Sequence, residues 1–142
     1  MRILYRNILM VIIVLQFTIN ALSGQEGDES NFSIVGRWKL IALNEQSVSE
    51  ENFKDGIPYI EIKEKDQIFS GFTGCNVIQG QYVISGNTIA IGKIISSKRY
   101  CEGIPENAFL EALEQIETYN LEGKTLFMLK DESRLLRFIK SE

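Results

Sequence analysis

Gly71-Phe72-Thr73-Gly74-Cys75-Asn76-Val77-Ile78-Gln79-Gly80-Gln81-Tyr82-Val83-Ile84-Ser85-Gly86-Asn87-Thr88-Ile89-Ala90-Ile91 is the stretch whose reading decides the fold. Gln81 to Ile84 and Thr88 to Ile91 flank Ser85-Gly86-Asn87, a hairpin signal, because Gly and Asn accept the backbone angles of a tight turn. Upstream, Gly71, Gly74 and Gly80 put three glycines in ten residues. That density suggests bends or bulges where backbones come close. It is not a phosphate cradle, since no Lys-Ser/Thr follows and no helix opens there. Asn76, beside Cys75, is suited to bond its side chain to backbone and hold a turn between strands.

Working outward, the chain remains β-rich on both sides. From Val35 the pattern alternates, with Trp38, Leu40 and Ala42 expected on one strand face and Lys39, Ile41 and Leu43 on the other. Trp38 reads as core rather than as a ligand platform. Asn44 to Gly56 is polar and irregular, with a helical turn expected near Ser49 to Lys54. Tyr59 to Lys63 and Gln67 to Phe72 form a hairpin about Glu64-Lys65-Asp66, with Ile60 and Ile62 inward. Lys93 to Ser97 is expected to continue as a strand after a kink at Gly92. One helix is expected from Pro105 to about Thr118. Pro105 suits the first helical position, Glu106 faces the positive end of the dipole, and Phe109, Ala112, Leu113 and Ile116 make one apolar stripe. Glu111, Glu114 and Glu117 then form a solvated face. Tyr119 to Leu121, Thr125 to Lys130 and Arg134 to Lys140 close the chain as strands, with Leu126 to Leu129 covered on both faces. The expected fold is α+β: a single β-rich domain whose twisted antiparallel sheet curls around one helix in the C-terminal half.

The chain has 142 residues, one domain's worth once a targeting segment is set aside. Residues 1–24 read as a signal peptide: Arg2 and Arg6, an apolar run from Ile8 to Leu15, then small residues before cleavage after Ser23 or Gly24. Residues 25–34 read as a flexible leader, and residues 35–142 as the domain. Leu22-Ser23-Gly24 resembles the start of a lipoprotein box, but Gln25 stands where the acylated cysteine would be, so no lipid anchor is expected. The expected product is exported, periplasmic or secreted, and soluble after cleavage. Removing residues 1–24 deletes two arginines and no acid, so the net charge of −4 becomes −6. Such a balance argues against a nucleic-acid-binding surface. The chain has no histidine, which removes Ser-His-Asp and Cys-His dyads, the commonest zinc ligand and the usual proton shuttle at pH 7. No metal and no cofactor is expected.

Two cysteines remain, Cys75 and Cys101. An even count in an exported chain suggests a disulfide, and a bridge closing this loop would contribute roughly 3–4 kcal/mol in the chain-entropy estimate. Two buried free thiols and a redox-active pair are the other readings. Cys101 lies ahead of the helix with Lys98 and Arg99 close by, but no Cys-x-x-Cys is present. The structural bridge is the reading carried forward. Lys98 and Arg99 are adjacent cations in an acidic protein, read either as a solvated strand end or as a contact for an anion or acidic partner. Tyr82 and Tyr100 could each expose a hydroxyl.

These patterns, taken in order, resemble the META domain, the family of HslJ-like heat-inducible envelope proteins. The resemblance rests on Gly36-Arg37-Trp38-Lys39-Leu40, on Gly74-Cys75-Asn76 with Gly80 and Tyr82, and on Ser97 to Cys101. It continues through Glu106, Phe109-Leu110, Ala112-Leu113 and Leu121-Glu122-Gly123. Trp38, Gly74, Asn76, Gly80 and Tyr82 are its structural markers. Two places depart. Ser97-Lys98-Arg99 stands where the family commonly has Thr-Arg-Met, and Val77 stands where it often has arginine, so a surface built on that arginine does not carry over. The resemblance implies a bacterial envelope location, a stress-linked role, and a compact sheet wrapped on a helix. It implies no substrate and no catalytic residues.

The expected function is therefore non-enzymatic binding in the cell envelope under stress, including heat shock, with an envelope protein or an apolar small molecule as partner. A carrier of an apolar ligand or lipid, held between sheet and helix, is the alternative. An extracytoplasmic thiol-disulfide protein is the third.

Overall fold

A computed structural model describes residues 33–142, and the signal-peptide reading and most of the expected leader lie outside the described residues. The strands are β1 (Gly36–Leu43), β2 (Gln46–Ser47), β3 (Tyr59–Lys63), β4 (Ile68–Phe72), β5 (Val77–Ser85), β6 (Thr88–Ile91), β7 (Ile95–Ser96), β8 (Thr118–Glu122), β9 (Thr125–Lys130) and β10 (Ser133–Ser141). One helix, α1 (Glu106–Gln115), stands between β7 and β8. Half of this is hairpin chemistry. The β1–β2 turn holds Asn44 and Glu45 at φ of 48° and 64°, and Gly86 and Gly123 take φ of 60° and 58° in later turns.

Every pairing is antiparallel, and the sheet runs β2-β1-β3-β4-β5-β6-β8-β9-β10. β10 then pairs back onto β1, from Arg37 opposite Ser141 to Leu43 opposite Leu136, so the sheet closes on itself. Closure removes the unpaired edges that an open sheet would present. The thinnest seam is β6–β8, where Thr88 opposite Thr118 is the one register pair. It is reinforced by the Ile89 amide on the Glu117 carbonyl and the Tyr119 amide on the Asn87 carbonyl, each 2.9 Å.

Two bulges shape the closure. One lies between Leu40 and Ala42 against β10, the other between Arg134 and Leu136 against β9. A bulge adds one residue and reverses which face follows it. This corrects the expected face of β1: Trp38 and Leu40 point inward, but past Ile41 it is Leu43 that joins the core, while Ala42 turns outward opposite Arg137. Ile34, expected in the leader, is buried in the same core, and its carbonyl accepts the Trp38 indole N–H at 2.6 Å.

The helix buries Phe109, Ala112 and Leu113, with the Phe109 ring edge-on to Phe138 of β10 at 6.5 Å between centroids. It is shorter than its apolar stripe. Ile116 is still buried, but its backbone is extended, at φ −63° and ψ 144°. The Glu117 amide is committed to the Leu129 carbonyl at 2.8 Å, so sheet pairing ends the helix before the stripe does. Pro105 sits at the N-cap, outside the first helical position.

Among the described residues, side chains fill the space between the sheet and Leu113 of the helix. The space bounded by Ile60, Ile62, Phe69, Tyr82, Ile89, Ile91, Leu113 and Met128 has a cavity volume of about 0 Å³. Burying these side chains contributes roughly 1.5–3 kcal/mol each. Gly80 keeps part of this packing. A Cβ there would lie 2.6 Å from the Phe69 ring and 3.2 Å from the Lys93 carbonyl. By contrast a Cβ at Gly92 would meet nothing closer than 3.4 Å. Gly80→Ala should therefore destabilise by about 1–3 kcal/mol through overpacking, lowering Tm by at least roughly 4 °C. Gly92→Ala should leave Tm nearly unchanged. Equal effects in calorimetry would contradict this account of the packing.

Candidate functional site

The turn between β4 and β5 gathers most of the distinctive polar chemistry. Its two buried polar residues are Thr73, 0% exposed, and Asn76, 3% exposed. Thr73 holds the turn itself. Its amide donates to the Asn76 carbonyl at 2.9 Å, and its Oγ1 accepts from the Asn76 amide at 2.8 Å and the Cys75 amide at 3.2 Å. Gly74 lets the turn close, because its φ is +94° and a Cβ there would overlap the ring of buried Phe53.

Asn76 reaches away from its own turn, onto the segment that follows β7. Its Oδ1 accepts from the Arg99 amide at 2.7 Å and from the Ser97 hydroxyl at 2.8 Å. Its Nδ2 donates to the Arg99 carbonyl at 3.1 Å and to the Glu106 carboxylate at 2.9 and 3.0 Å. Glu106 is the first residue of α1, and its Oε1 also accepts the Thr73 hydroxyl at 2.6 Å. One amide side chain therefore ties a strand turn, a loop and a helix start together. A buried amide left unpaired would cost about 1–3 kcal/mol on mutational scales, so each partner is needed.

Cys75 and Cys101 are bridged across the same junction, with Cα atoms 5.8 Å apart. Cys75 is buried and Cys101 is half-buried. The Cys101 sulfur lies 3.7 Å from an Asp55 carboxylate oxygen.

The remaining residues expected from sequence are spread around the fold. Trp38 is core, with the Lys140 ammonium 5.1 Å from its ring centroid. Gly80 and Tyr82 belong to the inner face of β5. Arg99 pairs with Asp55 at 3.3 Å. Both partners are largely exposed, so the pair contributes about 0–1 kcal/mol. Lys98 and Tyr100 are exposed. Thr73, Phe53 and Asp55 were not expected at the site. Thr73 had a usable signal, a hydroxyl three residues before Asn76 in a glycine-rich turn.

Beside this junction the outer face carries an open groove of about 490 Å³, bounded by Arg37, Lys39, Asp55, Tyr59 and Phe72 among others. The Tyr59 and Phe72 rings lie 6.2 Å apart between centroids, and the Arg37 guanidinium stacks 3.7 Å above Tyr59. Asp55 belongs to both features, as a wall of the groove and as the partner of Arg99.

The family profile of the META domain matches residues 31–142. The chain belongs to the META domain family. The matched segment takes in every strand and the helix of this META domain. Solved structures share its fold at low identity. A crystal structure of a DUF4847 family protein from Bacteroides vulgatus is 17% identical, covers 80% of this chain and 99% of its own, and superposes at a TM-score of 0.57. An NMR structure of a protein from Burkholderia xenovorans is 20% identical over 75% of this chain and 79% of its own, at 0.56. Another NMR structure is 20% identical over 74% and 88%, at 0.57. At these identities the likeness is one of fold. No curated protein matches the chain.

Among the described residues no group of three or more Cys, Asp or Glu side chains is placed to hold a metal ion. Tyr82 is the site marker with a resolved ionisation shift. Its hydroxyl donates to the Lys63 carbonyl at 2.8 Å. Burial, and then the charge of Glu64, push its pKa above the ordinary tyrosine value of 10.0. The stability carried by the neutral hydroxyl is thus present in full below about pH 10 and is lost as pH rises through the raised folded value, because the unfolded chain ionises first. Denaturant titrations between about pH 9 and pH 11 should show the native protein losing stability relative to Tyr82→Phe. A difference that stays constant across that range would contradict the partial burial of this hydroxyl.

Proposed function

We propose that this META-domain protein is exported and works in the cell envelope by binding, without catalysing a reaction. The groove over Tyr59 and Phe72 is the observation that carries the binding role. It joins an aromatic floor, a stacked guanidinium and an acidic wall on the sheet, and its 490 Å³ falls in the range usual for small-molecule sites. The polar cluster at Thr73, Asn76 and Glu106 supports the non-enzymatic half. Its donors and acceptors are engaged with one another, with the Ser97 hydroxyl and with the Arg99 backbone, so its chemistry is spent on structure. Export is supported by the order of residues 1–24 as a secretory signal and by the Cys75–Cys101 bridge, which persists in oxidising compartments. Among the described residues no helix is long and apolar enough to cross a membrane. A heat-shock or stress-linked role rests on the family resemblance.

The apolar-carrier reading needs space between sheet and helix, and side chains fill the part bounded by Leu113 and Met128. The thiol-disulfide reading has no Cys-x-x-Cys behind it. Binding at the outer groove has the stronger support.

The test uses the protein in its native cells. A photo-crosslinking residue at Tyr59 should give a discrete adduct in the envelope fraction, and Arg37→Glu should abolish it. The same residue at exposed Asn120 of β8 should give none. The isolated chain should have a mass beginning at Gly24 or Gln25 and two hydrogens short of the reduced form. Equal adducts at the two positions would remove the groove from the proposal, and a full-length mass with two free thiols would remove export.

A further inference from the structure

The connection from β7 to α1 is exposed along Ser97, Lys98, Arg99 and Tyr100, yet it is tied down on both sides of Lys98. On one side the Ser97 amide donates to the Val77 carbonyl at 3.1 Å, and the Ser97 hydroxyl to the Asn76 Oδ1 at 2.8 Å. On the other the Arg99 amide donates to that same Oδ1 at 2.7 Å, and the Arg99 carbonyl accepts from the Asn76 Nδ2 at 3.1 Å. Two residues further on, Cys101 is bridged to Cys75, the neighbour of Asn76. One amide and one disulfide clamp both ends of a short exposed segment.

Lys98 is what the clamp leaves free. Among the described residues its amide and carbonyl have no backbone partner, and its ammonium forms no ion pair. Arg99 differs, since its backbone is turned to Asn76 and its guanidinium pairs with Asp55 at 3.3 Å. Tyr100 beside it is 89% exposed, and tyrosine is enriched where proteins meet. An unpaired lysine on a fixed, exposed backbone has the form of a substrate side chain for a protease with an acidic specificity pocket. A flexible loop of this kind would be cut and released. A clamped one binds without the cost of ordering, and its cut ends stay together.

We propose that this segment inhibits a trypsin-like serine protease, with Lys98 as the anchor in its acidic pocket and Lys98–Arg99 as the bond presented to its serine. The protease's serine oxygen attacks the Lys98 carbonyl carbon, and its proton passes through the protease's histidine to the departing Arg99 nitrogen. The products are a Lys98 ester on the serine and a free Arg99 amine. Asn76 Oδ1 and the Cys75–Cys101 bridge keep that amine beside the ester. A reactant held in this way acts at an effective molarity of up to roughly 10⁵–10⁸ M, which favours its attack over that of water. Religation returns the proton to the serine and restores the peptide bond. Hydrolysis instead adds one water and leaves a nicked chain still joined by the bridge. The chemistry is the protease's own, so this domain acts by binding. The segment shares Asp55 with the groove but does not rest on ligand binding there.

The mature protein, with its bridge intact, is titrated against pancreatic trypsin and a chromogenic arginine substrate. Competitive inhibition is expected, with a constant below about 1 µM. Lys98→Ala, on an exposed side chain, should weaken it by roughly 30-fold or more, the loss expected of an interface anchor. Lys98→Arg should keep inhibition, and Lys93→Ala, also on an exposed side chain, should leave it unchanged. Long incubation should give a single cut after Lys98, with fragments that separate only on reduction. A folded Asn76→Ala should be cut faster and lose inhibition with time, which a role confined to stability would not produce. No inhibition at about 10 µM, rapid digestion of the native protein, or equal inhibition by Lys98→Ala would overturn the proposal. Inhibition of chymotrypsin alone, lost in Tyr100→Ala, would overturn it as well by moving the anchor to Tyr100.

Discussion

The side chain of Asn76 is the constraint on which the layout of this domain depends. It is buried, so its amide must find partners within the protein. It finds them on two elements: the Ser97 hydroxyl and Arg99 backbone after β7, and the Glu106 carboxylate at the start of α1. The long connection from β7 to α1 would otherwise be an excursion with little apolar burial. The amide gives it a fixed starting point, and the bridge from Cys75 to Cys101 holds the same place covalently. Removing a loop's freedom in the unfolded chain is how such a bridge stabilises, by roughly 3–4 kcal/mol at this length.

With α1 placed, its Phe109, Ala112 and Leu113 complete the interior of the closed sheet. Closure itself comes from pairing the ends of the described domain, β1 with β10. Lys140 shows how tightly that seam is finished. Its ammonium donates to the carbonyls of Ser33 and Val35 at 3.1 and 3.0 Å while lying near the Trp38 ring. The outer surface carries the groove over Tyr59 and Phe72, at the Arg37 end of β1.

Much of this was legible in the sequence because its causes are local. Hairpins announce themselves through Gly86-Asn87 and Gly123, and the helix through the stripe at Phe109, Ala112 and Leu113. Gly74, Cys75 and Asn76 stand out for the same reason. What could not be read depends on distant partners. The helix ends early because the Glu117 backbone belongs to the β6–β8–β9 seam, although Ile116 continues the apolar period. The bulge at Ile41 is set by pairing with β10, so nothing nearby shows that Leu43 and not Ala42 turns inward. Glu106 read as a charge at a helix start, and its bonds to Asn76 and Thr73 span 30 and 33 residues.

The most direct test of the Asn76 tie is native-state amide hydrogen exchange at Arg99. Its side chain and both neighbours, Lys98 and Tyr100, are exposed, so an ordinary loop amide there would exchange almost freely. Bonded to the Asn76 Oδ1 at 2.7 Å, it should instead be protected to a degree approaching the core strands. That protection should vanish in Asn76→Ala while the amides of β9 and β10 keep theirs. An Arg99 amide that exchanges as fast as its neighbours in the native protein would contradict the account.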